Sequence, residues 1–256
     1  MISHQILTHP LNFSVKSIMG GQLMTQTVWR LRIFGDSIMR GILYDESEGD
    51  YVQLINDAIP SQYTSPNIHI HNSSFFGYTS TKGLQLLQRA ITRGLVSDMV
   101  ILEYGGNDCD YRWKEVAAAP EKKHEPRTPL EQFDDTIRSM ISLLKAEEVT
   151  PILMTLPPIN ANLYLEHLGK SGLDPSSILQ WLGHSESMYL GQEAYSERIR
   201  EIAIETNTLL IDIRTKFLRS SDYSSLLCKD GIHPNVDGHK LIWSTVGDML
   251  MEVKTA

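Results

Sequence analysis

Met99-Val100-Ile101-Leu102 is a run of four apolar residues with no polar position between them. A strand with one face in water alternates apolar and polar residues. An unbroken run suits a strand covered on both faces, as in a parallel sheet packed between helices. The run leads into the glycines Gly105-Gly106. Four more short apolar runs occur along the chain, at Leu31 to Phe34, Ile68 to Ile70, Pro151 to Met154 and Leu209 to Ile213. Helical spacing lies between and after them. Leu130, Phe133, Ile137, Ile141 and Leu144 recur at steps of three and four, as do Ile242, Val246, Met249, Leu250 and Val253. Strand followed by helix, repeated, predicts an α/β fold. The expectation is a three-layer α/β/α sandwich around a parallel sheet of about five strands.

The 256 residues suffice for one such domain, and 41% hydrophobic with 21% charged residues is a globular balance. A chain of this size buries roughly 75% of its unfolded surface, so a full core needs no staples. The net charge is -8, and the one basic pair, Lys122-Lys123, sits beside Glu121 and Glu125. Nucleic-acid binding needs clustered positive charge, so no nucleic-acid partner is expected. Two cysteines, Cys109 and Cys228, exclude a disulfide scaffold and a zinc knuckle. They fit two reduced thiols in a cytoplasmic protein. No stretch reaches the ~20 apolar residues of a membrane span. His4, Gln5, His9, Asn12 and Lys16 break any apolar signal segment. Residues 1–23 therefore read as an extension, with Met24 as an alternative start, and residues 24–256 as a single domain. Nothing in the sequence bears on oligomeric state.

Two connections are long, 110–128 and 157–191. Loops beyond about 15 residues are usually functional or carry small helices of their own. Ligands in open α/β folds bind outside the carboxyl ends of the strands, so the polar residues there matter most. The first strand runs into Gly35-Asp36-Ser37-Ile38. A serine hydroxyl needs a partner base to act as a nucleophile at neutral pH; alone, this serine would equally cap a helix. The second strand is followed by Asn72 and then Gly77-Tyr78-Thr79-Ser80. A glycine there lets a backbone N–H approach a ligand, and it equally suits a turn. The third leads into Gly105-Gly106-Asn107-Asp108, a tight polar corner whose amide could donate to an oxyanion. Turns also favour these residues. Near the C-terminus stands Asp230-Gly231-Ile232-His233-Pro234. Asp and His three apart on one loop can meet, the carboxylate fixing the imidazole tautomer that leaves the other nitrogen free as a base.

The set is stronger than its members, because the four motifs come in a fixed order and three follow strands. In this the chain resembles the SGNH hydrolases, also called GDSL-like, named for Ser, Gly, Asn and His in four sequence blocks. Ser37 matches the first block, Gly77 the second, Asn107 the third, and Asp230 with His233 the last. The resemblance runs from about Leu31 to Leu250. Ile38 stands where the GDSL name has leucine, an apolar filler position. The resemblance implies a flavodoxin-like sheet and a serine esterase working through an acyl-enzyme, with no cofactor and no metal. Ser37 would be the nucleophile, His233 its base and Asp230 the residue that orients His233. The backbone N–H groups of Ser37 and Gly77 and the side-chain amide of Asn107 would form the oxyanion hole.

The substrate expected is a small-molecule ester, with a short acyl or O-acetyl group favoured. Lysophospholipid and acyl-thioester cleavage stay open within the family, and a catalytically silent α/β binding module is the alternative outside it. The intact set of site residues argues against the silent module. Trp113, Tyr164 and Trp181 in the long connections are candidates to contact substrate, or to pack beneath their own loops. Gly169-Lys170-Ser171 lacks the leading glycine of a phosphate-binding loop, which would fall at Tyr164. His69 and His71 alternate along a strand and read as structural. The chain has no His-Glu-x-x-His and no Gly-x-Ser-x-Gly motif.

Overall fold

The structure is a computed structural model that describes residues 13–19, 22–54 and 67–255. Five parallel strands form the centre. They are β2 (Gln22–Gly35), β5 (Ile68–Asn72), β6 (Met99–Glu103), β7 (Thr150–Met154) and β8 (Leu209–Ile211), in spatial order β5-β2-β6-β7-β8. In chain order this is 2-1-3-4-5, the flavodoxin-like arrangement, which reverses direction between β2 and β6. The crevice outside the carboxyl ends of those two strands is where such folds bind ligands. Gly35-Asp36-Ser37 follows β2 and Gly105-Gly106-Asn107 follows β6, so the fold puts both motifs at that crevice.

The unbroken run in β6 is explained by its neighbours on two faces. Met99 and Ile101 pack with Leu31, Ile33, Ile152 and Met154 against Ile213 and Phe217 of α7 (Ile213–Leu218) and Ile242 and Val246 of α8 (Val236–Thr255). Val100 and Leu102 pack with Phe34 and Leu153 on the opposite face. There they meet Leu87 of α1 (Ser80–Thr92), Phe133, Ile137 and Leu144 of α3 (Leu130–Ala146), and Ile199 and Ile202 of α6 (Glu186–Glu205). Each buried side chain of this size contributes about 1.5–3 kcal/mol of transfer free energy, so the sheet is committed on both sides. The fold is a three-layer α/β/α sandwich.

The last expected strand, Leu209 to Ile213, is shorter than its apolar run. It ends at Ile211 because the Asp212 carboxylate accepts the Thr215 N–H at 3.2 Å and starts α7, so Ile213 is buried from a helix. A hairpin with no counterpart in the sequence reading follows the first motif, β3 (Ile42–Asp45) against β4 (Asp50–Gln53). Strand β1 (Phe13–Met19) pairs antiparallel with residues 22–28 of β2, within the segment read as an extension. The two long connections carry α2 (Trp113–Ala118), α4 (Ala161–Lys170) and α5 (Pro175–Leu182). These share a third apolar cluster of Trp113, Val116, Tyr164, Leu168, Ile178 and Met188 beside the crevice.

Candidate active site

Strand β2 delivers Ser37 through a tight turn. A side chain at Gly35 would meet Glu103 Oε2 and the Met39 side chain, each at 3.0 Å, so the strand end admits only glycine without a shift. The turn closes with Arg40 N–H donating to Asp36 O and Ile42 N–H to Ser37 O, both at 3.0 Å. Ser37 is left nearly buried, with its hydroxyl turned toward His233.

His233 arrives from the loop before α8. Its Nε2 lies 2.9 Å from Ser37 Oγ and its Nδ1 lies 2.6 Å from Asp230 Oδ2. The other Asp230 oxygen accepts the backbone N–H groups of Ile232 and His233, both at 3.1 Å. A carboxylate acceptor places the proton on Nδ1, so Nε2 is free to accept from the Ser37 hydroxyl. Burial works against charge on Asp230, but the bonds from the His233 side chain and the two backbone donors hold its carboxyl below the usual range. The loop is docked on the start of α4. Asn160 N–H donates to Gly231 O at 2.8 Å. Gly231 has φ +77°, and a Cβ there would lie 2.6 Å from both Asn160 O and Tyr164 N.

Gly77 and Asn107 line the same cavity as Ser37 and His233. Gly77 has φ +72°. One Asn107 amide hydrogen points to Asp36 Oδ2 at 3.0 Å, and the amide nitrogen carries a second. Arg127 spans both residues, donating to Asn107 Oδ1 at 3.3 Å and to Gly77 O at 3.4 Å. The next residue, Asp108, is buried and accepts the Ser80 N–H and hydroxyl, which ties the β6 corner to the start of α1. Beneath the corner, Asp36 and Glu103 are both buried, with the Asp36 N–H donating to Glu103 Oε2 at 3.3 Å. Burial pushes the Asp36 carboxyl up to about 6. Burial and the charge of Asp36 push Glu103 well above the usual carboxylate range.

The cavity over Ser37 measures about 290 Å³. Ser37, Gly77, Asn107 and His233 line it, as do Trp113, Tyr164, Leu168 and Met188, and so do Tyr51, Phe76 and His167, whose rings group around His233. Trp113 Nε1 and the Tyr164 hydroxyl both donate to Asp110 Oδ1, at 2.7 and 3.0 Å, which fixes the two rings as a wall. Trp181 is not among the lining residues. It packs edge-on against Tyr111 and Trp113, with ring centroids 4.8 and 6.4 Å away. Cys109 lines the cavity with its thiol bonded to Gly106 O, and burial pushes that thiol up. Cys109 and Cys228 are unpaired. Among the described residues, no group of three or more His, Cys, Asp or Glu side chains is arranged to hold a metal ion. No described helix is long and apolar enough to cross a membrane.

The structure thus brings together residues from four sequence blocks spread over almost 200 positions. The sequence reading passed over Arg127, Glu103, Tyr51, Phe76 and His167. Arg127 sits in a proline-bracketed loop with no distinguishing spacing. Phe75-Phe76 directly before Gly77 is a signal the sequence does carry, two large apolar rings beside a predicted site residue, and both are exposed in the fold.

The model of the GDSL-like lipase/acylhydrolase family matches residues 33–241. The chain is 24% identical over 212 residues to the isoamyl acetate-hydrolyzing esterase of Saccharomyces cerevisiae, covering 82% of this chain and 80% of that one. It is 24% identical over 223 residues to an acetylxylan esterase of Geobacillus stearothermophilus, covering 83% and 90%. The lipase/acylhydrolase from Enterococcus faecalis has the same fold, with a TM-score of 0.58 at 16% identity over 88% of this chain and 96% of that one. The matched region begins inside β2, ends inside α8 and holds Ser37, Gly77, Asn107, Asp230 and His233; the chain belongs to the GDSL-like lipase/acylhydrolase family and is an esterase.

Proposed function

We propose that this esterase removes short acyl groups, acetyl foremost, from small alcohols through an acyl-Ser37 intermediate. The observation that carries the reading is the continuous chain from Ser37 Oγ through His233 to Asp230 at 2.9 and 2.6 Å. Ser37 Oγ attacks the ester carbonyl while His233 Nε2 takes its proton. Asp230 stabilises the imidazolium that forms and holds the ring in place. The carbonyl oxygen gains negative charge and is met by the backbone N–H groups of Ser37 and Gly77 and the free Asn107 amide hydrogen. As the tetrahedral species collapses, His233 returns the proton to the alcohol oxygen and the alcohol leaves. Water, deprotonated by the same nitrogen, then releases the acid and regenerates Ser37.

The acyl preference rests on two supports. The cavity of about 290 Å³ is at the small end of ligand pockets, which run to roughly 1,000 Å³. Both curated relatives named above carry acetate esters in their names. The unpaired thiols are compatible with a cytoplasmic setting. The test is 4-nitrophenyl acetate turnover and fluorophosphonate labelling of the parent and of Ser37→Ala. Losing the nucleophile of a comparable triad costs about 10⁶ in turnover, so the variant should be inactive and unlabelled while its circular dichroism is unchanged. Full labelling of folded Ser37→Ala would place the nucleophile elsewhere. Lysophospholipids and acyl thioesters belong in the same panel.

A further inference from the structure

We infer that Tyr51, Phe76 and His167 form the subsite for the alcohol half of the ester, and that it takes hydrocarbon alcohols in preference to hydroxyl-rich ones. The inference rests on the serine-esterase reading above and adds the class of alcohol. Its starting point is proton transfer. The leaving oxygen receives its proton from His233 Nε2, so it must come within hydrogen-bond reach of that atom, about 3 Å. The first carbons of the alcohol therefore lie against whatever surrounds the His233 ring on the cavity side.

Two aromatic rings bound that ring. Phe76 lies parallel to it within 9°, with centroids 6.1 Å apart, and Tyr51 stands 5.1 Å away. Tyr51 and Phe76 are 5.1 Å apart, and all three residues line the cavity. Phe76 is 51% exposed, an unusual state for a phenylalanine beside a cleft. An alcohol carbon chain laid on it removes apolar surface from water, at about 25 cal/mol per Å². The wall is built of ring faces, and the hydrogen bond among its residues runs within it. The Tyr51 hydroxyl is 3.3 Å from His167 Nε2, and the Tyr44 ring packs edge-on to His167 at 4.9 Å. A sugar alcohol seated here would bury several hydroxyls against ring faces that offer it few partners, and unpaired polar groups are costly to bury. None of the three is among the residues matched to the four family blocks. They come from the β3–β4 hairpin, the loop after β5 and helix α4.

The experiment holds the acyl group constant and varies the alcohol. Methyl, butyl and 3-phenylpropyl acetates, whose alcohols leave with similar ease, are compared with a mono-O-acetyl methyl xyloside. A second measurement generates the acetyl-enzyme and adds 3-phenylpropanol or methyl xyloside. Partition of acetyl between water and each alcohol then reports alcohol binding alone. In this transfer His233 takes the alcohol proton, the alcohol oxygen attacks the acyl carbonyl, and Ser37 leaves as the hydroxyl with that proton. The expected result is a kcat/KM that climbs roughly tenfold or more from methyl to 3-phenylpropyl acetate, by the usual increment per methylene, with the xyloside below both. 3-Phenylpropanol should intercept the acetyl-enzyme at lower concentration than the xyloside. Phe76→Ala should lower the phenylpropyl-to-methyl ratio by about tenfold. A flat series in the parent, a xyloside that outruns the alkyl acetates, or an unchanged ratio in folded Phe76→Ala would each overturn the inference. Ser37-dependent turnover with no alcohol discrimination would overturn it and leave the esterase reading standing. No Ser37-dependent turnover of any ester would remove both.

Discussion

Asn107 is held from two sides, by Asp36 on its nitrogen and by Arg127 on its oxygen. A primary amide can flip with little change of shape, and a flipped Asn107 would turn an acceptor toward a developing oxyanion. The two contacts exclude the flip, because each would then face a group of the wrong kind. Arg127 also holds the Gly77 carbonyl, so one guanidinium spans two of the three proposed oxyanion donors. Asn107→Ala should lower kcat by about 10²–10³ with a smaller change in KM, because the donor acts mainly in the transition state. Arg127→Met should lower kcat by roughly tenfold, also with KM nearly constant, since the amide stays but loses one restraint. Steady-state kinetics on one acetate ester checks both. A change confined to KM in Asn107→Ala would assign that residue to ground-state binding.

At the scale of elements, the loop that carries Asp230 and His233 is seated on α4, and the seat requires Gly231. Gly231→Ala would force a Cβ to 2.6 Å from two backbone atoms at φ +77°. Strain of this kind costs about 1–3 kcal/mol, and relief requires the loop to lift from α4. The expected outcome is a folded protein with Tm lowered by several degrees and kcat/KM lowered by 10²-fold or more, since about 1 Å of misplacement can cost that much. A variant that loses stability but keeps full activity would show that the seat does not position His233. Helices α4 and α6 also wall the cavity, with Leu168 on α4 and Met188 on α6. Acetyl to butyryl esters should outrun octanoyl and longer ones, in a graded way. Met188→Ala should move the optimum toward longer chains. Trp181→Ala should shift it less, because Trp181 does not line the cavity and packs against Tyr111 and Trp113, which do. A chain-length profile of 4-nitrophenyl esters decides between them.

Across the whole molecule, the buried Asp36 and Glu103 link stability to pH. An aspartate in the unfolded chain titrates near 3.9, whereas burial pushes Asp36 up to about 6. Between those values the native state binds more protons than the unfolded state, so stability falls as pH rises. This contribution is present in full below about pH 4 and is lost as pH rises through about 6. Asp230 acts in the opposite sense, its depressed carboxyl stabilising the fold above about pH 4 and less below it. Urea unfolding of Asp36→Asn at pH 4.5, 6 and 8 should therefore give a smaller loss between pH 4.5 and 8 than the parent shows. An identical pH dependence in both proteins would mean that Asp36 does not carry this linkage.

The sequence by itself determined the sheet and the residues that end its strands. Met99 to Leu102 could be read because a strand buried on both faces must be apolar at every position; Ser37 and Asn107 could be proposed from polar residues at strand ends, and His233 from the Asp-x-x-His spacing, each together with the resemblance to one family. Strand β8 was overread because apolarity alone does not separate Ile211 in a sheet from Ile213 in a helix; the Asp212 cap does. Tertiary structure alone decided which side chains surround the chemistry. Arg127 meets Asn107 across 20 positions and Tyr51 meets His233 across 182, and Trp113 lines the cavity while Trp181 packs behind it. Periodicity records which face of an element is buried, whereas contacts between loops depend on how the elements stack. The hairpin that brings Tyr51 to His233 belongs to neither the central sheet nor the four motifs, so no local pattern marks it.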